Sequence, residues 1–184
     1  RARKSRRKNW FTRHTPRLLV CGDLELLPIK GGTAGMVWSN LALQWVNEPR
    51  FAFAAMHRVL EPGGLLMFST FGPDTLKELR HASDGVDRYT HVHRFIDLHD
   101  LGDMLIACGY ADPVIDMETI TMTYSDVRAL MRDLKAIGAR NAAEGGPRGL
   151  SAKSVLKSIE KRYEVFRRDG KLPATFEVVY GHAW

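Results

Sequence analysis

Short apolar runs alternate with amphipathic helical patterns from residue 17 onward, and this alternation constrains the fold more than any other feature. Residues 17–21, 35–39 and 65–70 are runs of strand length. An apolar character on both faces is typical of strands that are buried in a parallel sheet. Helical patterns follow these runs along the chain. We therefore predict an α/β fold built from βαβ units, with helices on both faces of the sheet.

Apolar stripes at helical spacing predict four helices, and a fifth, shorter one follows the third strand. The first helix is expected to bury Phe51, Ala55 and Val59 on one side. In the short helix, Thr75 and Glu78 have the spacing of a capping box, in which two side chains cap the helix N-terminus reciprocally. The four longer helices are expected at residues 49–60, 98–108, 125–137 and 151–168.

Two further strands are predicted in the second half of the chain. Residues 119–124 alternate, with Ile120, Met122 and Tyr124 on one face and threonines on the other. Such alternation is typical of an antiparallel strand with one exposed face. A last strand is expected at residues 175–180.

The positive charge is concentrated at the N-terminus. Residues 1–17 hold eight of the 27 Arg and Lys residues and no acid, so the net charge of +6 leaves −2 for the remaining residues. A terminal block of like charge is typical of a solvated segment, and a nucleic-acid surface would interleave its cations with more aromatic rings than Trp10 and Phe11. We expect residues 1–16 to form a separate basic segment, and we expect no nucleic acid to bind.

No apolar run approaches the roughly 20 residues that cross a bilayer, and no apolar signal sequence follows the basic N-terminus. These features predict a cytoplasmic protein without membrane contact. Cys21 and Cys108 lie within apolar patterns. They are predicted to be buried thiols rather than members of a disulfide or a metal site.

Polar or glycine residues follow three predicted strands, where ligands bind in open α/β sheets. Asp23 follows the first strand, and its carboxylate could either accept a hydrogen bond from an amino group or cap the next turn. Asn40 follows the second strand and leads to Trp45, which could equally be a core residue. Gly72 follows the third strand and permits close backbone approach beside Phe71.

Taken in order, these segments resemble the class I S-adenosylmethionine-dependent methyltransferases. The resemblance is carried first by MVWSNLALQW at residues 36–45 and RVLEPGGLLMF at residues 58–68. Within that superfamily, FSTFGPDTLKELR, YSDVRALMRDLKAIG and LPATFEVVY resemble the malonyl-acyl-carrier-protein O-methyltransferases of biotin synthesis. The similarity covers residues 17–184. It implies a Rossmann-like sheet flanked by helices.

The resemblance also implies S-adenosylmethionine as the cofactor and assigns residues to it. Asp23 would accept from the adenine amino group, and the backbone N–H of Leu24 would reach the ring. Asn40 and Leu41 would line the methionyl end, where Ala42 leaves room. Two aromatic residues, Trp45 and Phe71, would form the walls of the methyl-transfer pocket.

The carboxylate of a malonyl substrate needs donor groups, which the segment around residue 93 offers. His91 and His93 would share one face of an extended chain, and Arg94 can bind a carboxylate through two hydrogen bonds. Two alternatives stay open for this segment. One is a solvated loop, and the other is a metal site completed by His99 and Asp103, for which methyl transfer has no need. Arg80 is a weaker candidate for the same carboxylate.

A malonyl carboxylate is ionised at neutral pH, so methyl transfer to it needs no general base. We therefore predict no catalytic acid or base. The resemblance implies an acyl carrier protein that bears the malonyl group as the partner. Basic residues along the helices at 125–137 and 151–168, among them Arg128 and Arg132, could dock it, or they could be solvated helix faces.

One departure from the family is large. The glycine-rich turn that holds the methionine part of the cofactor is absent, because no G-x-G pattern precedes Gly22. We therefore expect residues 17–184 to be the C-terminal two-thirds of one methyltransferase domain, incomplete at its N-terminus, with a helical insertion at about 125–170. Two other functions stay open: a protein-modifying relative, like the similar complex I assembly hydroxylase, and a methyltransferase-like binding module without activity.

Overall fold

A computed structural model describes residues 19–87, 92, 95–137 and 150–184. It contains four strands and five helices within those ranges. The strands are β1 (Ala34–Asn40), β2 (Leu60–Phe71), β3 (Val114–Tyr124) and β4 (Leu172–Ala183). The helices are α1 (Pro49–Val59), α2 (Lys77–Ser83), α3 (Leu98–Ala107), α4 (Val127–Ala136) and α5 (Leu150–Tyr163). The predicted order of strands and helices from residue 34 onward is thus confirmed.

The four strands form one mixed sheet in the order β1-β2-β4-β3. β1 and β2 are parallel, as expected for strands that α1 connects, and β4 runs antiparallel to both β2 and β3. The register places Asn40 beside Ser69, and Ser69 beside Tyr180. The carboxyl ends of β1 and β2 therefore meet at one edge of the sheet.

Helices α1 and α3 cover one face of the sheet. Phe53 of α1 packs edge to face on Phe68 of β2, with ring centroids 5.3 Å apart, and Leu105 of α3 joins the same core. Phe51, which we expected on the buried side of α1, is 59% exposed. Phe53 takes that place, because the helix buries positions 52, 53, 55, 56 and 59, and the predicted burial of Ala55 and Val59 is confirmed.

A second core lies on the opposite face, at the end of the sheet where β4 begins. Leu130 of α4, Ile159 and Tyr163 of α5, and Leu172 of β4 are buried there together with α2. The stripe predicted for α4 is confirmed, because Val127, Leu130 and Leu134 are buried. The remainder of this face leaves several large side chains exposed: Met36, Trp38, Met67 and Tyr180.

The expected first strand is wrong where the structure describes it. Residues 19–22 form no strand, and Leu19 is 98% exposed. A strand requires a hydrogen-bonded neighbour, and residues 19–22 pair with none of the four described strands. The predicted burial of Cys21 is wrong for the same reason, because its thiol is exposed. Cys108, at the end of α3, is partly buried, and burial raises the pKa of its thiol.

The strand β3 forms the other edge of the described sheet. Its pairing with β4 is antiparallel over its whole length, from Val114 beside His182 to Tyr124 beside Leu172. The predicted antiparallel strand is therefore confirmed, and it is longer than the alternation indicated. The buried face expected for it is wrong, because Ile120 and Met122 are 41% and 46% exposed and only Tyr124 of that face is buried. In the described ranges, no helix is both long and apolar enough to cross a membrane.

Candidate active site

The candidate site lies where β1 and β2 end side by side. Asn40 closes β1, and Ser69 lies beside it in β2. The Ser69 hydroxyl donates to Asn40 Oδ1 over 2.6 Å. The N–H of Leu41 donates to the Ser69 carbonyl over 3.0 Å and lies 3.1 Å from the Ser69 Oγ. One buried serine therefore connects the ends of both strands.

This serine fixes which way the Asn40 amide points. Because Ser69 Oγ accepts from the Leu41 N–H, its own proton needs an acceptor, and Asn40 Oδ1 provides it. The Asn40 Nδ2 group finds no hydrogen-bond partner within the described ranges, and the residue is exposed. Asn40 therefore offers N–H donors at the sheet edge, which suits a ligand atom that accepts hydrogen bonds.

The backbone turns sharply at Leu41, which has φ +48°. A leucine in the left-handed region is strained and persists only where its surroundings hold it. Here Ser69 binds its N–H, and Gln44 Nε2 donates to its carbonyl over 2.6 Å. The turn is therefore held from both sides, and it leads directly into Ala42 and the short helical turn Leu43–Trp45.

A cavity of about 280 Å³ opens beside this turn. It is lined mainly by apolar side chains, among them Leu43, Phe71, Phe95 and Leu101. Gln44 is also part of the lining, and its Oε1 is buried without a hydrogen-bond partner among the described residues. A cavity of this kind can enclose an apolar group and orient it through one polar contact.

The two aromatic residues predicted as pocket walls differ in position. Phe71 lines the cavity, and its ring lies 5.7 Å from that of Phe95 and 5.9 Å from that of Phe176. Trp45 is 52% exposed and is not among the cavity-lining side chains.

The turn after β2 is fixed to β4 by Glu177. The N–H of Gly72 donates to the Glu177 carbonyl over 2.9 Å, and the N–H of Asp74 donates to Glu177 Oε2 over 2.6 Å. A Cβ atom on Gly72 would lie 2.7 Å from Glu177 Cδ. The close backbone approach expected at Gly72 is therefore present, and its partner is a buried carboxylate.

Thr75 and Glu78 do not form the expected capping box. The Thr75 hydroxyl donates to the Glu177 carbonyl over 3.0 Å, and Glu78 accepts from the N–H and the hydroxyl of Thr175. Both side chains thus bind β4 instead of the N-terminus of α2. The cap residue is Leu76, whose φ is +55° and which makes no side-chain cap.

Arg80, in α2, stabilises the same turn through two hydrogen bonds to backbone carbonyls. Its Nη1 donates to the Pro73 carbonyl over 2.8 Å, and its Nη2 donates to the Thr75 carbonyl over 2.9 Å. Both terminal nitrogens are therefore occupied by backbone acceptors. Farther out, Lys77 Nζ lies 2.7 Å from Asp74 Oδ2, and this hydrogen bond raises the pKa of Lys77.

Asp23 is exposed and shapes a local turn. Its Oδ1 accepts from the Glu25 N–H over 2.9 Å, whereas its other oxygen has no partner in the described part of the chain. Leu24 is partly buried against the first core.

The predicted substrate residues His91, His93 and Arg94 lie outside the described residues.

No group of three His, Cys, Asp or Glu residues within the described ranges is close enough to hold a metal ion. His99 instead pairs with Asp97, the cap of α3, over 2.8 Å.

Sequence reasoning missed three polar residues of the site region, Ser69, Gln44 and Glu177, and gave Glu78 a capping role that it does not have. Glu177 could have been found, because it is an acid within an otherwise apolar pattern and therefore needs a buried partner. Ser69 carried no such signal.

Three comparisons with known proteins bear on this geometry. A family model described as a methyltransferase domain matches residues 1–68. The chain is 59% identical over 166 residues to the malonyl-[acyl-carrier protein] O-methyltransferase of Laribacter hongkongensis, which covers 90% of the chain and 56% of that protein. The corresponding protein of Gallionella capsiferriformans is 58% identical over 167 residues, covering 91% of the chain and 58% of that protein. The chain thus spans little more than half the length of these curated relatives.

Solved structures share the fold at low identity. A Bacillus halodurans protein named as a methyltransferase superposes with a TM-score of 0.57 at 18% identity, covering 88% of this chain and 68% of that one. YcgJ of Bacillus subtilis superposes with a TM-score of 0.56 at 15% identity, over 88% of this chain and 68% of that one. The resemblance found in the sequence is thereby confirmed: over about 90% of its length the chain is similar to the malonyl-[acyl-carrier protein] O-methyltransferases, and the solved structures share its fold.

Proposed function

We propose that the protein containing this chain is an S-adenosylmethionine-dependent methyltransferase. It O-methylates the free carboxylate of a malonyl thioester on acyl carrier protein, a step of biotin synthesis, and it works in the cytoplasm. The observation that carries the proposal is the 57–59% identity to four curated relatives of that name over about 90% of the chain. The cavity lined by Leu43, Thr70 and Phe71, close to the ends of β1 and β2, is consistent with it.

The donor set at the strand ends fits the proposed cofactor. Its methionyl carboxylate and ribose oxygens accept hydrogen bonds, and Asn40 Nδ2 is a free donor at the exposed edge. Its adenine amino group donates, and one oxygen of Asp23 is a free acceptor. We therefore propose that Asn40, Leu41 and Ala42 hold the methionyl end, and that Asp23 and the N–H of Leu24 hold the adenine.

The bound cofactor supplies an activated methyl group on a sulfonium centre. The protein's own task is to orient the acceptor, and such positioning contributes about 7–11 kcal/mol in well-aligned reactions. Phe71, Phe95 and Leu101 form an apolar part of the cavity wall beside the strand ends. We propose that Trp45, whose exposed ring lies between the cavity-lining residues Gln44 and Val46 in the sequence, contacts the substrate from outside the cavity.

The acceptor carboxylate is ionised at neutral pH, because an ordinary carboxyl pKa lies near 4. No side chain has to remove a proton from it. We propose that His91, His93 and Arg94 orient this carboxylate. Their donors should bind one oxygen and leave the other free, since a donor on both oxygens would lower the nucleophilicity of the group.

Methyl transfer from labelled S-adenosylmethionine to malonyl-acyl carrier protein tests the proposal on the full-length protein that contains this sequence. We expect transfer to the malonyl form and none to the acetyl form, which lacks the free carboxylate. Binding of S-adenosylhomocysteine without any transfer would replace the proposal with a cofactor-binding module. Absence of both binding and transfer would refute the cofactor assignment.

A further inference from the structure

Helix α5 carries three lysines on one side, at positions 153, 157 and 161. This spacing of four residues places successive side chains on one face, about 6 Å apart along the helix. All three lysines are exposed, whereas Ile159 and Tyr163 on the opposite side are buried. We name Lys153, Lys157 and Lys161 the lysine row.

The lysine row has no anionic partner among the described residues. The ion pairs of this region use other cations: Arg128 pairs with Glu160 over 2.6 Å, and Arg167 pairs with Glu164 over 2.6 Å. Like charges four residues apart destabilise a helix. The lysine row therefore contributes no stabilising ion pair to the folded chain. Its positive charge is available to an anionic surface outside the chain.

The helix that carries the row belongs to the same end of the sheet as the cavity. Ile159 and Tyr163 of α5 lie in the core that also receives Phe95 and Phe176. Both of those rings contact Phe71, the aromatic wall of the cavity. One continuous packed layer thus joins α5 to the candidate active site.

We propose that the lysine row is the docking surface for an acidic face of the acyl carrier protein. The inference rests on the proposed function, and it assigns the partner to a specific helix. Arg128, although basic and exposed, contributes less because Glu160 neutralises it locally. Charges on an exposed helix act mainly on the rate and strength of encounter, and salt screens them.

The test compares two substrates in the full-length protein: malonyl-acyl carrier protein and malonyl-coenzyme A, which lacks the carrier. We expect Lys157→Glu/Lys161→Glu to raise KM for the carrier substrate about tenfold at low salt. The kcat value and the kinetics with malonyl-coenzyme A should stay unchanged. The difference in KM should shrink in about 0.5 M salt, where screening is nearly complete at contact distances.

Lys30→Glu, a single charge reversal, is the control, because Lys30 is also exposed and lies beyond the amino end of β1, whereas the candidate site lies at its carboxyl end. An equal rise in KM from this control, or no rise from the double variant, would overturn the proposal. Loss of binding to anionic vesicles or RNA, with carrier kinetics unchanged, would also overturn it.

If neither substrate is methylated, the proposed function fails. Titration calorimetry with the carrier protein then tests the lysine row separately: the double variant should bind the carrier more weakly than the parent protein, and Lys30→Glu should bind it equally well.

Discussion

The Ser69 hydroxyl donates a 2.6 Å hydrogen bond to the side-chain oxygen of Asn40, across two parallel strands. The same serine accepts from the N–H of Leu41, whose φ is +48°. A single hydroxyl therefore orients the exposed amide and supports the strained turn that follows it. Residues that make no ligand contact can control a site in this way, by fixing those that do.

Ser69→Ala should weaken the binding of S-adenosylhomocysteine to the full-length protein. Removal of the hydroxyl frees the Asn40 amide to rotate, so the expected loss is about 1 kcal/mol, or roughly fivefold in Kd. Isothermal calorimetry measures it.

Ser39→Ala supplies the control for that measurement. Ser39 is also a buried strand serine, but its hydroxyl has no hydrogen-bond partner among the described residues. We expect its loss to leave Kd unchanged. If both alanine variants weaken binding equally, the Ser69 hydroxyl does not act through Asn40.

Glu177→Ala should lower the free energy of unfolding by about 2–3 kcal/mol, because it removes a buried acceptor of the Asp74 N–H. Glu177→Gln keeps a side-chain oxygen and should cost less. Urea denaturation of both variants at neutral pH checks this order. A glutamine variant as unstable as the alanine variant would mean that the negative charge, rather than the acceptor position, stabilises the turn.

Gly72→Ala should destabilise the protein by about 1–3 kcal/mol, because the new methyl group would overlap Glu177 Cδ at 2.7 Å. In the Glu177→Ala background the obstructing atoms are gone, so the same substitution should cost little. A double-mutant cycle in urea measures the coupling. Additive losses would place the strain of Gly72→Ala elsewhere.

The stability of α4 should depend on pH through its cap. Asp126 accepts from the Ala129 N–H over 2.8 Å, and this hydrogen bond lowers the pKa of Asp126. A lowered pKa in the folded state means that the stabilisation is complete above the unfolded pKa, near 4, and is lost as pH falls through the folded pKa. Asp126→Ala should therefore lower Tm at pH 7.

The difference in Tm between the Asp126→Ala variant and the parent protein should narrow below about pH 4. Thermal melts followed by circular dichroism at several pH values measure it. Asp126→Asn, which retains a capping oxygen without a titrating proton, serves as the control. A constant difference at every pH would show that the carboxylate charge has no part in the cap.

Local patterns predicted most of the secondary structure because most of the patterns report on a helix or strand that buries one side. The stripes of α3 and α4 are confirmed with their buried residues, and Gly109 ends α3 with φ +93°. Residues 19–21, the described part of the expected first strand, form no strand, because an apolar run also needs a neighbouring strand to pair with. Pairing is a property of the whole sheet and cannot be read from the run itself.

The site was predictable at the level of strand ends but not of hydrogen bonds. Asn40 and Phe71 follow from the rule that ligands bind where parallel strands end. The capping box predicted from Thr75 and Glu78 is wrong because their side chains form hydrogen bonds with β4 instead of the N-terminus of α2. The β4 residues that they bind lie about 100 positions away in the chain. Ser69 was missed because an interior strand serine has the same sequence signature whether it is partnered or not.

The outer edge of β3 has a consequence for how copies of the protein behave together. An 11-residue strand with one side unpaired in the described sheet is long enough to template another strand. Asp116 and Glu118 place exposed negative charges along it, and Asp116 Oδ1 already binds the N–H of Met117 over 2.8 Å. Two such edges would repel each other on approach. These two acidic residues therefore disfavour edge-to-edge aggregation of the protein at high concentration.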